Sequence, residues 1–370
     1  MPRDIIVVGA GIVGCAVAYE LARRGISVEV VDERPVGMGA TQASAGVLAP
    51  FIEAREGSAL LALTTRSLDL YDEFLTRVSA DSGVAIPYRR TGTLDVATDD
   101  AAVAALRATS EVLARRGVQT TLLDGQAAHR EEPHLAPDVV GALLITAHGF
   151  VVASELTRAL ATAARRHGAQ LIKQTRVRRV ARERGDVRVE TDRGTLTGSA
   201  VVIAAGSWAG EIAIEGIAAR LPVRPVRGQL LHLGWNGTAL RRVTWSAGCY
   251  LVPWEDGTVL VGATVEEAGF DERVTVAGVF DLLESAGAIV PHAWTAAFRG
   301  ARVGLRPATA DELPIIGHSR VLENVMYATG HYRNGILLAP LTAQLVADAL
   351  LEKRFDPLLE AVSPSRFGEF

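Results

Sequence analysis

A chain of 370 residues exceeds one ordinary domain of roughly 100 to 200 residues, and 49% hydrophobic with 22% charged residues is the balance of a globular protein of about two domains. Lysine plus arginine number 38 against 42 aspartate plus glutamate, and the net charge of −4 excludes a strong field for nucleic acid or anionic lipid, leaving a small molecule as the expected partner. The two cysteines, Cys15 and Cys249, stand outside any CxxC or His-rich spacing, which excludes a disulfide framework or zinc site and fits a reducing cytoplasm.

The chain enters an apolar strand at Ile5 with no charged leader or cleavage site, and no later apolar run nears the roughly 20 residues of a membrane helix, so an untargeted cytoplasmic protein with no membrane contact is expected. Residues 5–8 are apolar up to Gly9. Residues 14–24 carry Val17 and Leu21 at helical spacing before Gly25, and residues 28–31 form a second apolar run. Strand, helix, strand in this order predicts a βαβ unit on a parallel sheet. Further along, residues 69–78 and 103–116 predict amphipathic helices, and residues 93–98 and 143–146 predict strands. A helix is expected over 154–167 with Ser154 as its N-cap. Strands are expected over 187–191, 200–205 and 230–233, and a β-hairpin over 249–265 turns at Asp256 and Gly257. The last segment reads as a strand at 325–328, glycines at 330 and 335, and a helix over 340–351. Arg176, Arg178, Arg179, Arg182 and Arg184 form a basic stretch with no interleaved aromatics for base stacking, so a solvated hairpin face is expected.

GAGIVG at residues 9–14 has the G-x-G-x-x-G spacing between a strand and a helix. Gly9 makes the tight turn, Gly11 lets the backbone approach a pyrophosphate, and Gly14 permits close helix packing. The helix N-terminus offers partial positive charge to a diphosphate. About twenty residues beyond Gly9, Asp32 closes the second strand where a carboxylate can accept the ribose hydroxyls, with Glu33 the neighbouring alternative. The fold class is α/β: a nucleotide-binding unit early and late in the chain, interrupted by a more antiparallel one. These features alone do not separate FAD from NAD.

GMGATQASAGVLAP (residues 37–50), VVIAAGSWAGEI (201–212) and PVRPVRGQ (222–229) resemble segments of the D-amino-acid oxidase superfamily of FAD enzymes, and GLRPATADELPIIG (304–317) and ATGHYRNGILLAP (328–340) resemble the glycine oxidase family in particular. The resemblance implies an FAD-binding Rossmann-like domain of the glutathione-reductase type over 1–80, 145–220 and 300–370, interrupted by a mixed, mainly antiparallel substrate-binding domain over 81–144 and 221–299. It implies FAD contacts at Gly9, Gly11, Ile12, Val13, Gly14, Asp32, Glu33, Ala40, Thr41, Ala45, Gly46, Val47, Val177, Gly206, His331, Tyr332, Arg333, Asn334, Gly335, Ile336 and Leu337. Arg306 is implied as the clamp on a substrate carboxylate, Arg333 as a second cationic contact and Tyr250 as a hydroxyl beside them. The flavin is expected to be noncovalent, since no cysteine lies near the C-terminal loop. Asp32 is shorter than the family's usual glutamate. Val265 stands where glycine oxidases carry a larger methionine, which leaves more room if that position lines the pocket. The implied activity is oxidation of glycine or another small amino acid by hydride transfer to flavin N5, with oxygen as acceptor and hydrogen peroxide as product. No acid or base side chain is required. The rivals are a D-amino-acid or sarcosine oxidase or dehydrogenase of the same superfamily, or a flavin-binding protein without turnover. The same resemblance implies a homo-oligomer, a tetramer in this family, and a place in thiamine biosynthesis.

Overall fold

Strand β1 (Ile5–Val8) is apolar at all four positions because both of its faces are enclosed. In the computed structural model, which describes residues 5–53 and 58–370, Ile5 and Val7 pack into a helical layer while Ile6 and Val8 pack against Val177, Val180, Val187 and Val189 of an antiparallel meander. Side chains alternate across a strand, so an unbroken apolar run requires cover on both sides. Helix α1 (Ile12–Arg23) returns the chain to strand β2 (Val28–Asp32), parallel to β1 in the register Ile5 to Val28. The six-stranded sheet runs Ile315–His318, Val325–Thr329, Ala200–Ile203, β1, β2, Gln170–Lys173, parallel throughout except for the first pair.

An eight-stranded sheet forms the second layer. Its order is Ala297–Ala308, Arg224–Gly234, Thr258–Gly262, Tyr250–Pro253, Val243–Trp245, Thr93–Ala97, Gly141–Ile145, Thr120–Asp124. Pairing is antiparallel except between Val243–Trp245 and Thr93–Ala97. One face buries Leu231, Leu251, Val259 and Val261 beneath the helix Val276–Ile289. The opposite face carries Trp245, Tyr250 and Arg306 into a cavity that β1 and β2 also line.

Several expectations are corrected. The helix over 154–167 begins at Ala153 with Val152 in the cap position, so Ser154 lies inside the first turn and caps nothing. The helix expected over 69–78 is Tyr71–Ser82, and a separate helix before it, Ala59–Asp69, was not expected; Ser58 caps the latter, its oxygen accepting the Leu61 N–H. The helix expected over 340–351 starts at Gly335 and runs to Glu352. Its 18 residues, at mean hydropathy 1.4, are long and apolar enough to cross a membrane, contrary to the sequence reading, but 72% of it is buried among α1, Ala59–Asp69 and the sheet. That burial accounts for its composition, since a helix apolar all round belongs to a core or a membrane. The basic stretch falls on Val177–Glu183, with Arg178, Arg179 and Arg182 on its exposed side and Arg179 facing Glu190.

Candidate active site

One cavity opens at the carboxyl ends of the parallel strands, where β1 gives way to Gly9, β2 to Glu33, Gln170–Lys173 to Thr175 and Ala200–Ile203 to Ala204. Such an edge is where open α/β sheets bind ligands. Gly9 has φ +110°, and a Cβ there would lie 2.4 Å from Ala204 O; a Cβ at Gly14 would lie 1.9 Å from Gly9 O. Both positions therefore require glycine. Gly11 caps α1 without a side-chain bond, and Gly11, Ile12 and Val13 line the cavity, so the positive end of the helix faces it. The Ile12 N–H donates to Thr41 Oγ1 at 3.1 Å, which fastens the loop over 37–50 to the helix start.

Asp32 does two jobs. Its Oδ2 accepts the Ala10 N–H at 2.6 Å and its Oδ1 the Arg34 N–H at 2.7 Å, fixing the glycine turn, while the residue still lines the cavity. Burial pushes its carboxyl above the usual range, against the pull of those two N–H groups. Each carboxylate oxygen can accept more than one bond, so ribose contact remains available to it. Glu33 also lines the cavity, with Arg176 Nε 3.4 Å from its carboxylate. Ala40, Thr41, Ala45, Gly46 and Val47 bring the small-residue loop alongside. Gly46 has φ +73°, and a Cβ there would sit 1.7 Å from Val151 O.

The remaining walls come from distant segments. Gly206 accepts the Thr329 hydroxyl at 3.0 Å, and Ser207 donates to Leu305 O at 2.8 Å, joining three segments that line the cavity. His331 is buried and bonded through Nε2 to Thr342 Oγ1 at 3.0 Å; burial pushes its imidazole down to about 3, so it is neutral. Tyr332 donates its N–H to Pro307 O at 2.8 Å, and Asn334 leads into the uncapped start of the helix Gly335–Glu352. Val177, Tyr332, Arg333, Asn334, Gly335 and Ile336 all line the cavity.

Tyr250 and Arg306 reach the same space from the eight-stranded sheet. Arg306 donates through Nη1 to Thr264 O at 2.8 Å and to Arg227 O at 3.4 Å. The Tyr250 ring stacks on Trp245 with centroids 4.7 Å apart. The structure thus gathers every expected site residue around one cavity except Gly14 and Leu337, which pack in the core, and Val265, which is 55% exposed and does not line it. The sequence reading missed Trp245, Gly228 and Arg34. Arg34 lies 4.2 Å over the Trp208 ring and pairs two-pronged with Glu272 at 2.9 and 2.8 Å. Trp208 stood within the quoted AGSW segment, so only its cationic partner was hidden. A glycine cradle, a helix N-terminus and carboxylates at the end of β2 are what an adenine dinucleotide needs, and these residues fit FAD.

A profile of the DAO family, described as FAD dependent oxidoreductase, matches residues 4–349. The chain is 35% identical to the bifunctional protein ThiO/ThiG of Trichormus variabilis over 99% of this chain and 55% of that protein, so it spans about half of that relative's length. It is 34% identical to a glycine oxidase of Geobacillus kaustophilus over 95% of this chain and 93% of the other. A crystal structure of glycine oxidase from Geobacillus kaustophilus matches with a TM-score of 0.92 at 33% identity, covering 100% of this chain and 98% of that one. A crystal structure of iminodiacetate oxidase from a Chelativorans species matches with a TM-score of 0.88 at 28% identity, covering 97% and 98%.

Proposed function

The chain belongs to the DAO family of FAD-dependent oxidoreductases, and on that premise we propose that it oxidises glycine, or an amino acid nearly as small, to an imine that water hydrolyses to the α-keto acid and ammonia. The observation that carries this reading is a single cavity lined both by the dinucleotide cradle of Gly9, Gly11 and Gly206 and by Tyr250, Arg306 and Arg333. The likeness to glycine oxidase across nearly the whole of both chains supports the same substrate class.

In this reading Arg306 binds the substrate carboxylate. Its planar guanidinium pairs two-pronged with a carboxylate and thereby fixes the direction of the α-carbon, which a lysine does less well. Tyr250 offers its hydroxyl from a ring held flat on Trp245, and Arg333 adds a second positive charge. Asp32 and Glu33 take the ribose of the cofactor, and α1 takes its diphosphate. When bound, FAD accepts the two electrons drawn from the α-carbon and passes them to oxygen, giving hydrogen peroxide. His331 is neutral and committed to Thr342, so the protein contributes positioning while the substrate amine reacts in its neutral form. The ThiO/ThiG relative supports a place in thiamine biosynthesis. The resemblance to glycine oxidases supports a cytoplasmic homo-oligomer, which sedimentation of the purified protein tests.

Oxygen uptake measured with glycine, sarcosine, D-alanine and D-proline tests the assignment. The expected result is the highest kcat/KM for glycine. A bulkier amine in first place reassigns the substrate, and no uptake from an enzyme whose flavin glycine still bleaches under anaerobic conditions removes oxygen as the acceptor.

A further inference from the structure

Arg306 is aimed by two backbone carbonyls, and both belong to a half-buried polar network with Arg227 and Gln229 at its buried end. The network joins the strand Arg224–Gly234 to the segment 263–275, which runs beside it on the way to the helix Val276–Ile289. Arg227 and Glu266 exchange backbone hydrogen bonds in both directions, at 2.9 and 3.0 Å. Their side chains also pair: Arg227 donates to Glu266 Oε2 through Nη2 at 2.6 Å and Nε at 3.1 Å, and to Asp271 through Nη1 at 3.0 Å. The other carboxylate oxygen, Oε1, accepts the Thr264 hydroxyl at 2.6 Å and the Gln229 amide at 2.8 Å. Thr264 Oγ1 in turn accepts the Gln229 N–H at 2.9 Å. Gln229 is completed by Thr275, which accepts from Nε2 at 2.7 Å and donates its N–H to Oε1 at 2.9 Å.

Glu266 therefore receives two donors on each oxygen. Burial alone raises its carboxyl, but the bonds from Thr264, Gln229 and Arg227 hold it below the usual carboxylate range. Arg227 is 7% exposed, so its charge depends on this partner.

We propose that Glu266 and Arg227 are positioning residues for the substrate carboxylate: by locking the carbonyls of Thr264 and Arg227 they set where the Arg306 guanidinium lies. The proposal rests on the reading of Arg306 as the carboxylate clamp. The brace matters because displacement of a binding group by about 1 Å can cost on the order of a hundredfold, and for a clamp on the carboxylate that loss falls on substrate binding. Glu266→Gln presents an N–H to either the Arg227 donors or the Thr264 and Gln229 donors, and so breaks one side of the brace. Glu266→Asp keeps the charge on a shorter arm.

The test uses the FAD-loaded enzyme and acetate, a carboxylate without an amine, whose dissociation constant is read from the change it makes in the flavin absorption. Steady-state constants for glycine are measured alongside. In Glu266→Gln, acetate affinity and glycine KM are both expected to worsen about tenfold or more, with kcat little changed and FAD content intact; Glu266→Asp falls between. Thr264→Val, which removes the hydroxyl but leaves the carbonyl, is expected to weaken acetate in the same direction and serves if Glu266→Gln does not fold. Unchanged acetate affinity in these variants, while Arg306→Ala weakens both ligands, overturns the proposal alone. Unchanged acetate affinity in Arg306→Ala overturns the clamp reading beneath it.

Discussion

A methyl group added at Gly228 would lie 2.3 Å from Nη1 of Arg306, and one added at Gly262 would lie 2.5 Å from the Tyr250 ring. These two glycines are the space in which the proposed substrate residues sit. Gly228→Ala must push the guanidinium off its place, so glycine KM is expected to rise at least about tenfold while the flavin-to-protein absorbance ratio is unchanged. Steady-state kinetics with that ratio as control check this; an unaltered KM removes Gly228 from the account. At this scale the sequence disclosed what is local. Gly9, Gly11 and Asp32 declare themselves because their spacing belongs to one βαβ unit. The role of Gly228 depends on a side chain of the paired strand Ala297–Ala308, and Arg34 on Glu272, 238 positions away. No pattern along the chain signals such pairs.

The helix Gly335–Glu352 contains Pro340, which cannot donate to Ile336 O four residues earlier. The Tyr71 hydroxyl donates to that carbonyl at 2.5 Å, and the Ser67 hydroxyl donates to Leu337 O at 2.6 Å. The helix Ala59–Asp69 and the residues after it thus repair the bond the proline removes, next to the loop that lines the flavin site. Tyr71→Phe leaves a buried carbonyl unpaired and is expected to cost about 1 to 3 kcal/mol of stability. Urea unfolding checks this, and an unchanged midpoint means another donor takes the carbonyl. The sequence predicts a start at Pro340 for this helix. The true start is Gly335, at the end of the cavity-lining loop. Only the tertiary contact to Tyr71 makes an internal proline tolerable, and that contact is invisible in a local window.

Across the whole molecule, several ionisable groups are buried in one protonation state. His148 accepts the Phe51 N–H at Nε2 over 3.3 Å, so the neutral ring carries its proton on Nδ1 and donates to Thr93 Oγ1 at 2.8 Å, and burial pushes it down to about 3, as it does His331. Both histidines are neutral when folded, and the unfolded chain binds their protons near pH 6.5. Their contribution is complete above that pH and is lost as pH falls toward about 3. Asp95, pushed up to about 6 by burial, works in the opposite sense between its ordinary value and about 6, offsetting part of one histidine. Stability is therefore expected to decline from pH 7 to pH 5, by at most about 1.4 kcal/mol per histidine per pH unit. Urea midpoints across that range check it, and a flat profile contradicts the buried neutral histidines.

The fold class was legible because strand and helix periodicities alternate at both ends of the chain and pair as hairpins between them. The helix over 340–351 was legible too, except for its first turn from Gly335, and its packing on α1 and the sheet accounts for a composition that also suits a membrane span. The central claim, that this cavity brings a small amino acid to FAD, is tested most directly by mixing the purified holoenzyme anaerobically with glycine and then admitting air. The account predicts that glycine bleaches the flavin absorption, that oxygen restores it, and that Arg306→Ala slows the bleaching at low glycine. A flavin that stays oxidised with glycine, sarcosine, D-alanine and D-proline alike would contradict it.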